Sequence, residues 1–211
     1  MTIHTILFDL DGTLIDTNEL IIESFMHTFD TYGKKLTRSE AIEFIGPPLR
    51  DTFQQADPEQ VDALVETYRQ HNQQHHDDYV TAFPHVVDTL AELQKRRIQL
   101  GVVTTKTRKT VDMGLQVTGL EHDFKTIITL DDVTHAKPHP EPIVKALKVL
   151  DASTDSTLMV GDNSHDIEAG QNAGTKTAGV AWSLKGREKL ATYNPSYMLE
   201  DMRDLLDITE V

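Results

Sequence analysis

The chain has 211 residues, 38% hydrophobic and 26% charged, with no cysteine and 20 basic against 34 acidic side chains for a formal charge of −14. That length allows one large domain or a core with a smaller insert, and the missing cysteine excludes disulfide scaffolds and thiol catalysis. The negative charge opposes general adhesion to nucleic acid or anionic lipid, although a local basic pocket can still take a small anion, and no stretch approaches about 18 consecutive apolar residues. With no basic-then-apolar leader over residues 1–5, a cytoplasmic protein with neither membrane nor nucleic-acid partner is expected.

In chain order, Ile6, Leu7 and Phe8 form a short apolar run that predicts a buried strand. From 17 to 82 the pattern is helical instead. Leu20 to Ile22, Phe25 and Phe29 repeat at turn spacing, followed by Ala41, Phe44 and Ile45, then by Val61, Leu64, Val65 and Tyr68. Gly46, Pro47 and Pro48 divide this stretch, because tandem prolines remove two donors and disfavour helix before them. The polar tract 70–78 continues a helix face. Residues 86–97 and 142–150 carry helical stripes, and apolar runs at 100–103, 127–128, 158–160 and 178–180 predict further strands. Residues 197–206 read as a last strand and a closing helix. Strand alternating with helix predicts an α/β fold, a Rossmann-like parallel sheet covered on both faces. The expected domains are a catalytic core from 1–16 and 83–211 and a small α-helical cap inserted at 17–82.

The first strand runs into Asp9, Asp11, Gly12 and Thr13, at the strand end where open α/β sheets carry their sites. Two converging carboxylates repel and lose hydration, so the pair requires a cation or a shared proton. Asp162 and Asp166 follow the 158–160 run four residues apart, a spacing that shares a helix face. Four acids in two loops, with oxygen ligands and no thiol, point to Mg²⁺ rather than Zn²⁺. Two other strand ends offer Thr104, Thr105 and Lys106, then Lys137 and Pro138. Hydroxyls, backbone N–H groups and an ammonium are what phosphoryl oxygens need around them. His71 with His75 has the spacing of a Zn²⁺ or Ni²⁺ pair, but a solvated polar face is the expectation for the tract that also holds His76. His165 is expected at the rim of the site, and Trp182 in core or lid.

The order Asp-x-Asp-Gly-Thr, strand-terminal Thr, Lys-Pro and Gly-Asp-x-x-x-Asp resembles the haloacid dehalogenase superfamily, with all four motifs between residues 9 and 166. Residues 17–21, 44–49, 68–70 with 75–76, 103–106, 161–163, 173–182 and 185–187 are similar to the inorganic pyrophosphatases of that superfamily. The resemblance covers nearly the whole chain. Phosphoglycolate phosphatases are near relatives that often carry Asn at the position of Thr105.

The resemblance implies Asp9 as nucleophile through an aspartyl phosphate and Asp11 as general acid and then base. It implies Mg²⁺ on the side chains of Asp9 and Asp162 and the carbonyl of Asp11, with Asp166 steering its water shell. Thr104, Thr105 and Lys137 would hold phosphoryl oxygens. The implied substrate is a small phosphate compound, inorganic pyrophosphate first. Arg50 and Lys106 are expected to hold its distal phosphoryl group, and Asn18 and Glu19 to orient the leaving group or a second Mg²⁺. A phosphoglycolate phosphatase, a phosphosugar mutase and a catalytically silent binding or regulatory module are the other readings; the intact Asp9, Asp11, Lys137 and Asp162 weigh against the last.

Overall fold

The structure, a computed structural model, describes residues 2–209. The chain enters through β1 (Thr5–Phe8), turns sharply, and forms β2 (Ile15–Asp16). Four helices follow: α1 (Asn18–Thr31), α2 (Arg38–Glu43), α3 (Leu49–Ala56) and α4 (Val61–Tyr79). β3 (Thr81–Ala82) then returns antiparallel to β2. From there helix and strand alternate through α5 (Val86–Lys95), β4 (Gln99–Val103), α6 (Arg108–Thr118), β5 (Thr126–Ile128), α7 (Glu141–Leu150) and β6 (Thr157–Gly161). The chain finishes with α8 (Ser164–Ala173), β7 (Lys176–Val180), α9 (Arg187–Ala191), β8 (Tyr197–Leu199) and α10 (Asp204–Ile208).

The main sheet has the order β5-β4-β1-β6-β7-β8 and every pairing in it is parallel. Phe8 lies opposite Val102 on one side and Val160 on the other. The chain builds outward from β1 through β4 and β5, then restarts at β6 and builds the other way. The carboxyl ends of β1 and β6 therefore flank the point where the winding reverses, the crevice in which open α/β sheets bind their ligands.

Side chains of β1 alternate between two cores. Ile6 and Phe8 pack with Val86 and Leu90 of α5 and Val111 and Leu115 of α6, whereas Leu7 joins Met159, Ile143 and Leu147 of α7, and Ala169 of α8. Both faces are thus covered, which accounts for strands that are continuous apolar runs.

Helices α1–α4 carry an apolar cluster of their own, centred on Ile22, Phe25, Phe53, Leu64 and Tyr68. Phe25 sits 4.8 Å from Tyr68 and 5.6 Å from Phe53, centroid to centroid, in tilted and edge-on contacts that favour aromatic packing. Thr37 starts α2 with a reciprocal capping box to Glu40. Between α2 and α3, Gly46 has φ +119°, a backbone conformation that suits glycine.

Two elements have little signature in the sequence. The β2–β3 ladder is only two residues per strand. Helix α6 is largely polar and buries only Val111, Gly114 and Leu115; a Cβ on Gly114 would lie 2.8 Å from Ile15 Cδ1, so the glycine lets the helix pack closely on that side chain. Among the described residues, no helix is long and apolar enough to cross a membrane.

Candidate active site

The reversal point gathers four of the expected residues. The Asp9 N–H donates to the Val160 carbonyl at 2.8 Å, tying the end of β1 to β6. The turn that follows passes so close to the next loop that a Cβ on Gly12, whose φ is +76°, would lie 2.5 Å from Asp162 Oδ2. Asp166 stands in the first turn of α8, where its Oδ2 accepts from the Asn163 N–H at 3.0 Å in a capping box. Gly161 lies directly beneath it, where any side chain would collide with the carboxylate. Asp9, Asp162 and Asp166 are all buried, and each offers an oxygen within 4.8 Å of the others.

Lys137 reaches this cluster from the segment before α7. Its buried ammonium donates to Asp9 Oδ1 at 2.7 Å, Asp166 Oδ1 at 2.6 Å and the Val103 carbonyl at 2.8 Å. Burial alone would lower the lysine pKa, but the charges of Asp166 and Asp9 outweigh it and hold the group above its ordinary value. The acids respond oppositely. Burial pushes Asp9 up to about 7 against the pull of Lys137, and pushes Asp162 well above its usual range, reinforced by Asp166 and Asp9. One ammonium cannot neutralise three buried carboxylates, so the cluster holds protons or a divalent cation. Its all-oxygen donor set suits a hard cation.

Asp11 stands slightly apart. Its Oδ1 accepts from the Thr17 hydroxyl at 2.6 Å and lies 2.6 Å from Lys106 Nζ. Thr104 is buried; its N–H donates to the Ile128 carbonyl, and its hydroxyl oxygen accepts from the Lys106 N–H at 3.2 Å.

Above these groups lies a cavity of about 150 Å³, with a polar floor from the strand ends and a roof from the helical insert. Asp9, Asp11, Thr105, Lys106, Lys137, Asp162 and Asp166 line it, and Thr104 does not. Arg50 lines it too, but its guanidinium is paired with Asp62. Glu19 and Asn18 do not line it. Glu19 pairs with Arg38 on the exposed side of α1, and Asn18 is buried with its N–H donating to Asp16 Oδ1 at 3.1 Å. The expected orienting roles of Asn18 and Glu19 therefore have no geometric support: both belong to the first turn of α1, and neither lines the cavity.

The insert is held over the floor by its own main chain. The Ile45 carbonyl accepts from Asn163 Nδ2 at 3.0 Å and Lys185 Nζ at 2.8 Å, and the Gly46 carbonyl accepts from the Thr105 hydroxyl at 3.1 Å. A Cβ on Gly46 would lie 2.5 Å from Asn163 Nδ2. Lys189 adds an exposed ion pair with Glu43 at 3.0 Å. His165 lines the cavity with Nδ1 2.9 Å from Asn163 Oδ1, and burial lowers its pKa. His71 stacks between His27 and His75 and contacts the Ser24 hydroxyl at 3.1 Å.

Sequence reasoning missed Asn163 and Lys185 as ties between insert and sheet, since their acceptors are carbonyls that carry no residue signature. It set Tyr68 in an apolar stripe and in a segment similar to the pyrophosphatases, but gave it no place at the site. Tyr68, Arg69, Asn72 and Gln73 all line the cavity, and the helical spacing that puts one row of α4 there is visible in the sequence once α4 is known to be a roof. Burial, with the Asp11 carboxylate second, pushes the Tyr68 phenol upward, so it stays a neutral donor.

Over residues 6–180 the chain matches the haloacid dehalogenase-like hydrolase family. It is 61% identical over 212 residues to the pyrophosphatase PpaX of Anoxybacillus flavithermus, covering 100% of this chain and 99% of that one. To the pyrophosphatase PpaX of Oceanobacillus iheyensis it is 56% identical, covering 99% and 97%. Among solved structures, the haloacid dehalogenase-like family protein SP0104 of Streptococcus pneumoniae superposes with a TM-score of 0.88 at 26% identity, covering 99% of each chain. CbbY from Rhodobacter sphaeroides, solved in complex with phosphate, shares the fold at a TM-score of 0.85 and 22% identity, covering 99% and 100%. With a reversal-point carboxylate cluster, a buried lysine between two of its members and full-length kinship of this degree, the chain belongs to the haloacid dehalogenase-like hydrolases.

Proposed function

We propose that this enzyme is a Mg²⁺-dependent phosphohydrolase that cleaves inorganic pyrophosphate into two phosphates. The observation that carries the reading is the cavity itself. At about 150 Å³ over the carboxylate cluster it is well below the roughly 300–1,000 Å³ of pockets that take drug-sized ligands, and so suits a substrate without an organic portion. The relatives named pyrophosphatase support the same substrate.

In this proposal Asp9 attacks phosphorus, forming an aspartyl phosphate while the P–O bond to the other phosphoryl group breaks. Asp11 gives its proton to the departing phosphate oxygen. It then takes one from the water that opens the mixed anhydride, returning Asp9 to the carboxylate and Asp11 to the acid. The side chains of Asp9 and Asp162 and the carbonyl of Asp11, with Asp166 beside them, would hold Mg²⁺, which would supply positive charge against the phosphoryl oxygens. Lys137 holds Asp9 in place through its 2.7 Å bond and adds a second cation where charge is spread in a loose transition state. Thr105 forms part of the wall, and Thr104, which lies behind it, shapes that wall by accepting from the Lys106 N–H through its hydroxyl oxygen. Residues 17–82 serve as a cap that closes the chamber over the core formed by 1–16 and 83–211, a division supported by the insert's separate apolar cluster.

The test is phosphate release from pyrophosphate, phosphoglycolate and nitrophenyl phosphate by the parent and by Asp9→Asn, with Mg²⁺ and with EDTA. The highest kcat/KM is expected for pyrophosphate, with turnover lost in EDTA and in Asp9→Asn. A preference for phosphoglycolate overturns the substrate; Asp9→Asn within about tenfold of the parent overturns the nucleophile.

A further inference from the structure

Four strong cations line the cavity, and three are already committed. Lys137 is bonded to Asp9 and Asp166, Lys106 to Asp11, and Arg50 to Asp62. Arg69, on the roof helix α4, has no carboxylate partner among the described residues. Its neighbour Tyr68 is similarly uncommitted. Tyr68 is only 8% exposed, its ring is fixed against Phe25 and Phe53, and it lines the cavity, yet no described residue hydrogen-bonds its hydroxyl. The ring is enclosed, but the hydroxyl is not among the fully enclosed unpartnered atoms of the described residues, so its donor opens on the cavity, where a ligand oxygen can take it. One turn further along, Asn72 and Gln73 have partners: Asn72 Nδ2 donates to the Ser24 hydroxyl at 3.3 Å, and Gln73 Oε1 accepts from Lys109 Nζ at 2.8 Å.

We infer that Tyr68 and Arg69 form the subsite for the distal, departing phosphoryl group, with the phenolic O–H and the guanidinium fork donating to its oxygens. The inference rests on the proposed pyrophosphatase reading and deepens it by moving the distal contact from Arg50 to α4. A phosphoryl group seated on the acidic floor directs its second, equally anionic half at the roof. Phe25, Phe44 and Ile45 offer it apolar surface, and the polar neighbours Arg50, Asn72 and Gln73 each already hold a side-chain partner, which leaves Tyr68 and Arg69 as the roof donors without one among the described residues. The guanidinium fork suits a tetrahedral oxyanion, and the neutral phenol donates without competing for a proton.

The experiment compares pyrophosphate with nitrophenyl phosphate, which has no distal anion, in Tyr68→Phe, Arg69→Ala, Arg69→Lys and Arg50→Ala. Tyr68→Phe keeps the packed ring and removes only the hydroxyl. The ratio of kcat/KM for pyrophosphate to that for nitrophenyl phosphate is expected to fall about tenfold in Tyr68→Phe and about a hundredfold in Arg69→Ala, mainly through KM. Arg69→Lys should recover part of the loss, and Arg50→Ala should shift the ratio less than either. As a second measurement, the inhibition constant of methylenediphosphonate against nitrophenyl phosphate hydrolysis should rise in the same order, while that of inorganic phosphate moves less. An unchanged ratio together with an unchanged diphosphonate constant overturns the subsite. A parent that leaves pyrophosphate intact overturns only the substrate reading, and the diphosphonate constant then still decides the subsite.

Discussion

Lys137 and Asp9 stand 128 residues apart in the chain and 2.7 Å apart in space, and the same ammonium also holds Asp166. The lysine is therefore a charge keystone for the floor. Replacing it with Met leaves two buried carboxylates without their counter-charge. Lys137→Met is expected to cost about 3–5 kcal/mol of stability in EDTA, read by urea unfolding. A loss below about 1 kcal/mol would remove the keystone role.

The floor should also make Mg²⁺ affinity depend on pH. Asp9 is held at about 7 in place of 3.8, and Asp162 well above the same ordinary value. Between those values the cation-free fold retains protons that the unfolded chain has released. This contribution to stability is complete below the unfolded value and is lost as pH rises through the folded one. Carboxylates held low, such as Glu141 at about 2, have the opposite sign and act at lower pH. A divalent cation must displace the retained protons, so the rise in Tm caused by Mg²⁺ should grow from about pH 5 to about pH 7.5. A rise that stays flat or shrinks over that interval would contradict a cation at these carboxylates.

Gly12→Ala probes the close passage of two loops. Its φ of +76° and the 2.5 Å approach of a Cβ to Asp162 Oδ2 leave the side chain no position unless Asp162 moves. Turnover should fall by about a hundredfold or more, with a weaker thermal response to Mg²⁺, because a misplacement near 1 Å is costly at a reacting centre. Activity near that of the parent would show that the carboxylate tolerates displacement.

Gly46→Ala probes the tie between insert and sheet. A Cβ there meets Asn163 Nδ2 at 2.5 Å with φ at +119°, adding strain on the order of 1–3 kcal/mol. We expect kcat/KM for pyrophosphate to fall about tenfold or more and proteolysis near residues 44–48 to accelerate. Unchanged cleavage and turnover would mean that the three bonds to the Ile45 and Gly46 carbonyls contribute nothing to closure.

The legible parts of this molecule are those in which side-chain chemistry and burial coincide. Ile6 to Phe8 and Leu158 to Val160 read as strands because both faces of the sheet are covered, and Asp9 and Asp162 stand out because acids rarely follow such runs without a reason. Helix α6 left little trace because its exposed face outweighs the Val111–Leu115 contact. Thr104 is more enclosed than its motif suggests, with its hydroxyl already engaged by Lys106. Arg50 was expected over the substrate from its position after the proline break; the spacing carries no information about Asp62, twelve residues on, which takes its guanidinium. Tyr68 is ambiguous in sequence because a tyrosine at an apolar position is at once a core residue and a donor.

The tie between insert and sheet has one more consequence. Asn163, Lys185 and Thr105 grip main-chain oxygens at positions 45 and 46, and a carbonyl at position 45 is supplied by whatever amino acid stands there. Docking at these three bonds is thereby decoupled from the identity of the residues on α4. If α4 selects the substrate as inferred above, substitutions there would retune what the chamber accepts while the insert keeps these bonds, so substrate range could drift in evolution without rebuilding the floor.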